Sequence, residues 1–91
     1  SKSLKILVVR FSSIGDIVLT TPVLRVLKNQ LNAEVHYLTK KEYSSILKKN
    51  PNINKLYSIE NSILELRKHL QKEKYDYVVK IFLNFLIVTT L

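Results

Sequence analysis

Ile6-Leu7-Val8-Val9-Arg10-Phe11-Ser12-Ser13-Ile14-Gly15-Asp16-Ile17-Val18-Leu19 is the stretch that decides how this chain folds. Four consecutive apolar residues, Ile6 to Val9, predict a buried strand. The small polar residues after them predict a loop, and Asp16-Ile17-Val18-Leu19 opens a helical pattern. Gly15 is the only glycine among 91 residues. A dinucleotide-binding G-x-G-x-x-G and a Walker A loop each need at least two glycines at fixed spacing, so both are excluded. What is left is a strand, a turn and a helix with a carboxylate in its first turn.

Outward from this unit the chain alternates strand-like and helix-like segments. The pattern predicts strands at about 4–10, 34–39, 54–59 and 76–83, and helices at about 16–31, 41–49 and 61–73. Asn50-Pro51-Asn52 reads as a loop because proline cannot continue the second helix, and Asn61 or Ser62 can cap the third. Pro22 either kinks the first helix or occupies the first position of its regular part, with Thr21 as N-cap. Val23, Leu24, Leu27 and Leu31 form that helix's apolar stripe; Ile63, Leu66 and Leu70 form the third helix's, with Glu65, Lys68 and Lys72 outward. A βαβαβαβ order with helices of this length calls for an α/β fold: a parallel Rossmann-like sheet with flanking helices and right-handed crossovers, the 4–10 strand central. No internal repeat and no linker divides the chain.

The composition is that of a globular chain, 46% hydrophobic and 24% charged, and 91 residues suffice for one domain that buries roughly 60–65% of its unfolded surface. Fifteen Lys and Arg against seven Asp and Glu give a net charge of +8, which favours anionic partners without choosing among them. Twelve of the fifteen are lysines spread along the whole chain, the pattern of a solvated basic surface. The lack of cysteine excludes disulfides, thiol catalysis and cysteine-based zinc sites. The N-terminal residues enter a strand at once, with no signal-peptide pattern.

In an open α/β sheet ligands bind outside the carboxyl ends of the strands, which directs attention to the loop 11–15, the start of the first helix and Thr39-Lys40. Ser12 and Ser13 supply hydroxyls, and Gly15 admits close backbone approach. Asp16 has two readings. As a carboxylate at a helix N-terminus it can cap the helix with no ligand involved, and at the mouth of the crevice it can act as a general base on a sugar hydroxyl. His36 alternates with Val35 and Tyr37 in a strand and reads as a packed histidine; His69 falls on a polar helix face. With no third ligand evident, neither a metal nor a cofactor is expected. The five tyrosines and three phenylalanines do not cluster into an RNA-stacking face.

Lys5 through Leu27, with its Ser-Ser-Ile-Gly-Asp loop followed by Thr-Thr-Pro, resembles the N-terminal segment of the bacterial ADP-heptose:lipopolysaccharide heptosyltransferases. The similarity continues through Ala33–Thr39, Asn50-Pro51 and Tyr75–Val79, so it covers about residues 1–79. It implies a truncated N-terminal half-domain of a GT-B fold, from an inverting, metal-independent glycosyltransferase. Such an enzyme moves heptose from ADP-heptose to the lipopolysaccharide inner core, in the cytoplasm or peripherally at the inner membrane, with nucleic acid not an expected partner. In this family the aspartate of the Gly-Asp pair is the base on the acceptor hydroxyl, a role that maps to Asp16, and the positions matching Ser12, Ser13 and Gly15 line the cleft.

Residues 80–91 depart from the resemblance. An acidic residue and a polar stretch are expected there, and the chain instead has Lys80-Ile81-Phe82-Leu83-Asn84-Phe85-Leu86-Ile87-Val88-Thr89-Thr90-Leu91, which suggests a reading frame or chain altered near residue 80. This apolar tail is too short for a membrane span, is expected to continue the last strand, and is an aggregation hazard if exposed. Family members hold the nucleotide sugar mainly in a C-terminal domain that this chain lacks, so the chain is expected to be inactive alone. The alternative is a non-catalytic basic α/β module that binds an anionic partner, nucleic acid or a membrane surface.

Overall fold

The computed structural model describes residues 4–10, 20–59, 63–81 and 86–90. Among these residues, five strands and three helices follow the order β1 (Lys5–Val9), α1 (Thr21–Asn29), β2 (Glu34–Lys40), α2 (Lys41–Leu47), β3 (Lys55–Ile59), α3 (Ile63–Glu73), β4 (Tyr77–Ile81) and β5 (Leu86–Thr89). They build one sheet in the order β3-β2-β1-β4-β5. The first four strands are mutually parallel, with Lys5 opposite Glu34, Ile6 opposite Tyr77 and His36 opposite Lys55.

β1 is central as expected, and the period-2 alternation sends its side chains to two cores. Ile6 and Val8 join Val35, Tyr37 and Val79 beneath Leu24 of α1 and Leu47 of α2. Leu7 joins Leu38 and Val78 beneath Leu70 of α3, with Tyr75 beside it. Each buried Leu or Val contributes roughly 1.5–3 kcal/mol, so two helix-covered faces explain why the inner strands read as continuous apolar runs. The path from β1 to β3 steps one way along the sheet, and the β3–β4 crossover steps back past two strands. A single hand of crossover then requires α3 to lie on the face opposite α1 and α2, as it does. The reversal of direction falls between β1 and β4.

Regular helix in α1 begins at Thr21, with Thr20 as the N-cap position and Pro22 in the first turn, one residue earlier than the cap drawn from sequence; the expected start at 16 lies outside the described residues. The helix also closes sooner than the predicted 31. Asn32 takes a left-handed conformation (φ 51°), which asparagine tolerates, and the Ala33 N–H donates to the Leu27 carbonyl at 3.1 Å. Leu31 therefore leaves the apolar stripe and is 49% exposed. The Asn50-Pro51-Asn52 turn forms as predicted, with the Asn52 N–H donating to Asn50 Oδ1 at 2.8 Å. Asn61 and Ser62 lie outside the described residues.

The apolar tail does not prolong the last strand. β4 ends at Ile81, and Leu86–Thr89 forms a separate strand antiparallel to it, pairing Ile81 with Leu86 and Val78 with Thr89. A run of one composition carries no mark of where it changes direction; pairing of β4's outer backbone edge decides it.

Candidate functional site

The point where strand order reverses is where an open α/β sheet forms its ligand crevice, at the carboxyl ends of β1 and β4. Arg10 stands there, immediately after β1. Its backbone N–H donates to the Leu38 carbonyl of β2 at 3.1 Å, and its Nη1 donates to the Ile81 carbonyl of β4 at 2.7 Å. The side chain is 2% exposed, so one residue ties β1 to the ends of both neighbours from inside the fold. A buried guanidinium persists only where such acceptors surround it.

Thr20, on the other side of residues 11–19, is likewise anchored. Its hydroxyl shares a buried hydrogen bond of 3.1 Å with the Tyr37 phenol. Burial pushes the Tyr37 phenol above its ordinary value of 10.0, opposed by the Thr20 hydrogen bond and the Arg10 charge, so this hydroxyl stays protonated through the neutral range. Thr39 follows Tyr37 on the same face of β2, one step past the Val9–Leu38 pair and level with Arg10. Its hydroxyl is fully buried and has no hydrogen-bond partner among the described residues. Lys40, next along, is exposed.

Residues 11–19 thus join two fixed points at the carboxyl end of the sheet. Ser12, Ser13, Gly15 and Asp16, the residues assigned to the site from sequence, all lie outside the described residues. Sequence reading did place Thr39-Lys40 at this end. It missed Arg10, Thr20 and Tyr37, although a cation directly after an apolar strand run is itself a signal, since a buried strand end can hold one only against neighbouring carbonyls.

A second cluster lies at the opposite, amino ends of the strands. His36, 2% exposed, faces the Glu34 carboxylate through Nε2 at 2.6 Å, and through Nδ1 it faces the Tyr75 hydroxyl at 2.7 Å and Glu73 at 3.2 Å. Lys5 lies 3.2 Å from Glu73 and 4.0 Å from Glu34; Lys55 is 3.8 Å from Glu73. Hydrogen bonding to Lys5, with the charges of Lys5, Lys55 and His36, holds the Glu73 carboxyl below its ordinary value of 4.5 despite some desolvation. Burial is the main cause that raises the Tyr75 phenol.

Glu34, His36 and Glu73 bring potential ligand atoms within 4.8 Å of one another. The two carboxylates address opposite ring nitrogens, however, and the Lys5 ammonium already approaches both. One ion cannot bind both lone-pair directions of a single imidazole. The cluster instead fastens the end of α3 to β1, β2 and β3. Sequence reading found the packed histidine but not its partners, which converge from positions 34 and 73 only once the sheet is assembled.

No family model matches the sequence. Its relatives are found by direct comparison: lipopolysaccharide heptosyltransferase 3 of Escherichia coli K12 is 37% identical over 78 residues, covering 74% of this chain and 23% of that protein. Lipopolysaccharide heptosyltransferase 1 of Campylobacter coli is 33% identical over 79 residues, covering 81% of this chain and 23% of the relative. The chain is similar to a segment of the lipopolysaccharide heptosyltransferases. A solved glycosyl transferase family 9 protein from Veillonella parvula superposes with a TM-score of 0.75 at 28% identity, over 89% of this chain and 27% of that one. The resemblance drawn from the Ser-Ser-Ile-Gly-Asp loop and the α/β fold class, as part of a GT-B glycosyltransferase fold, both hold. The one amendment is the antiparallel pair at the sheet's edge. The chain spans about a quarter of the length of these heptosyltransferase relatives.

Proposed function

We propose that this chain is the acceptor-side part of an inverting, metal-independent glycosyltransferase that transfers heptose from ADP-heptose to the lipopolysaccharide inner core. The observation that carries this reading is the pinning of both flanks of residues 11–19, through Arg10 and Thr20, at the strand-order reversal. It is supported by similarity to heptosyltransferases over 74–81% of the chain. In this reading Asp16 accepts the acceptor hydroxyl's proton as its oxygen forms a bond to the heptose anomeric carbon, while the bond to ADP breaks on the opposite face. Ser12, Ser13 and Gly15 line the cleft, and residues 1–79 form the glycosyltransferase portion, with 80–91 a divergent tail. Donor and acceptor must be held in register for displacement, so the 91 residues by themselves transfer no sugar. The work is cytoplasmic, with peripheral contact at the inner membrane through the basic surface; none of the described helices is long and apolar enough to cross a membrane.

The test exchanges residues 1–79 into E. coli lipopolysaccharide heptosyltransferase 3 in place of its matching segment and measures heptose transfer. Activity in the chimera that is lost in its Asp16→Asn form supports the reading; equal activity in both refutes the role of Asp16. A second reading, a non-catalytic module for an anionic partner, is favoured by one observation. Glu34, Glu73 and Asp76 are engaged in ion pairs or hydrogen bonds with neighbouring residues, while Lys48, Lys49, Lys68, Lys72 and Lys74 face solvent. Strongly salt-dependent binding of nucleic acid or anionic vesicles by the chain supports it.

A further inference from the structure

The core beneath α1 and α2 is apolar along most of its length, built from Ile6, Val8, Leu24, Val35, Leu47 and Val79. It turns polar at the carboxyl ends of the strands, where Arg10, Thr20, Tyr37 and Thr39 are all 2% exposed or less. Three of these four are engaged, Arg10 with the Ile81 carbonyl and Thr20 with Tyr37. Thr39 differs: its Oγ1 is buried with no hydrogen-bond partner among the described residues. A hydroxyl taken out of water without a partner costs stability, whereas valine has nearly the same shape, suits a strand as well and carries no such cost. Buried unpaired groups are few in native folds and gather where something outside the chain completes a site. Such a place lies next to Thr39. β2 ends one residue further on, beside the strand-order reversal at which an open α/β sheet takes its ligand.

We propose that Thr39 is a positioning residue for the acceptor sugar, an inference that rests on the glycosyltransferase reading above. Its hydroxyl takes its hydrogen bond when a sugar occupies the crevice and goes without one in the chain alone. A threonine hydroxyl donates one bond and accepts two, which matches the hydroxyls of a sugar and needs no charge. Because Oγ1 is fully covered, the link runs through one ordered water held between Thr39 and a sugar hydroxyl. Thr39 then fixes the orientation of the acceptor, and no proton or bond is exchanged at it.

Two substitutions with opposite effects on stability and on transfer test this. Thr39→Val keeps the shape and removes the hydroxyl; in the chain alone it should raise Tm by about 4–8 °C, the worth of one unpaired buried hydroxyl. Thr39→Ser keeps the hydroxyl and deletes a buried methyl, so it should lower Tm. Heptose transfer by the chimera with E. coli lipopolysaccharide heptosyltransferase 3 should run the other way. Valine should slow it about tenfold, the effect of one hydrogen bond, and serine should leave most of it. A residue that only packs changes transfer in step with Tm and cannot give this crossing. If Thr39→Val lowers Tm or does not fold, the hydroxyl already has a partner in the chain alone, and the proposal is overturned. It is equally overturned if the serine variant transfers as poorly as the valine variant. A chimera that transfers no heptose in its unmodified form refutes the glycosyltransferase reading and this inference with it, whereas an active chimera indifferent to Thr39→Val refutes this inference alone.

Discussion

Removing the Tyr37 hydroxyl tests whether the far flank of residues 11–19 is held as described. The Tyr37 phenol and Thr20 hydroxyl meet at 3.1 Å in a buried setting, a neutral pair worth about 1 kcal/mol net. Tyr37→Phe keeps the ring, which packs against the core shared with Leu24, so the loss should stay near that figure and lower Tm by about 4–8 °C for a chain of this size. A double-mutant cycle with Thr20→Val isolates the pair, with a coupling of about 0.5–1.5 kcal/mol expected. Tyr77→Phe is the control: its residue is exposed, and its change should stay within about 0.5 kcal/mol. Alkaline titration adds an independent check. The folded phenol of Tyr37 is raised above the unfolded value, so its contribution is intact below about pH 10 and is lost as pH climbs through the folded value. Tyr37→Phe should flatten that decline, leaving the share due to Tyr75. Urea unfolding at stepped pH measures both effects. A coupling below about 0.3 kcal/mol refutes the anchoring of Thr20 through Tyr37, and an unchanged alkaline slope in the Phe variant refutes the burial of the Tyr37 phenol.

Leu24 is fully buried beneath the sheet, so Leu24→Ala should cost about 3–4 kcal/mol in urea unfolding with little change in m. Glu73 is held below its unfolded value by Lys5, so its contribution is present above about pH 4.5 and fades as pH falls through the folded value; Glu73→Gln should remove that part of the acid loss in a pH-stepped melt. In the heptosyltransferase chimera, Asp16→Asn should lower transfer by roughly 10²–10⁴-fold while Tm moves by little, because asparagine and aspartate cap helices comparably. A loss that tracks unfolding would assign Asp16 to capping.

The fold was legible because its signals are local and periodic. Ile6–Val9 reads as a buried strand, Val35–Leu38 as a strand with a packed histidine, and Pro51 as the end of a helix, and the structure has all three. The boundary of α1 was not, since the left-handed turn at Asn32 competes with an apolar stripe that runs on to Leu31. Nor was the reversal before β5, where backbone pairing and not composition decides. At the site, the Ser-Ser-Ile-Gly-Asp loop stood out by its glycine and its resemblance. The bonds that flank it, Arg10 to Ile81 and Thr20 to Tyr37, span 71 and 17 positions, and no periodicity encodes such pairings.

The two anchored flanks have a consequence for how this chain can change. A connection between free ends must bear its own closure entropy, which grows with length and depends on its stiffness. Here Arg10 and Thr20 are placed by bonds to β2 and β4, so the span between them is set by the sheet and not by the residues it contains. In the proposed glycosyltransferase reading, substitutions within 11–19 bear on what that segment binds, and Arg10 and Thr20 on where its ends are held. The chemistry of the crevice is free to vary on a scaffold that holds its own shape.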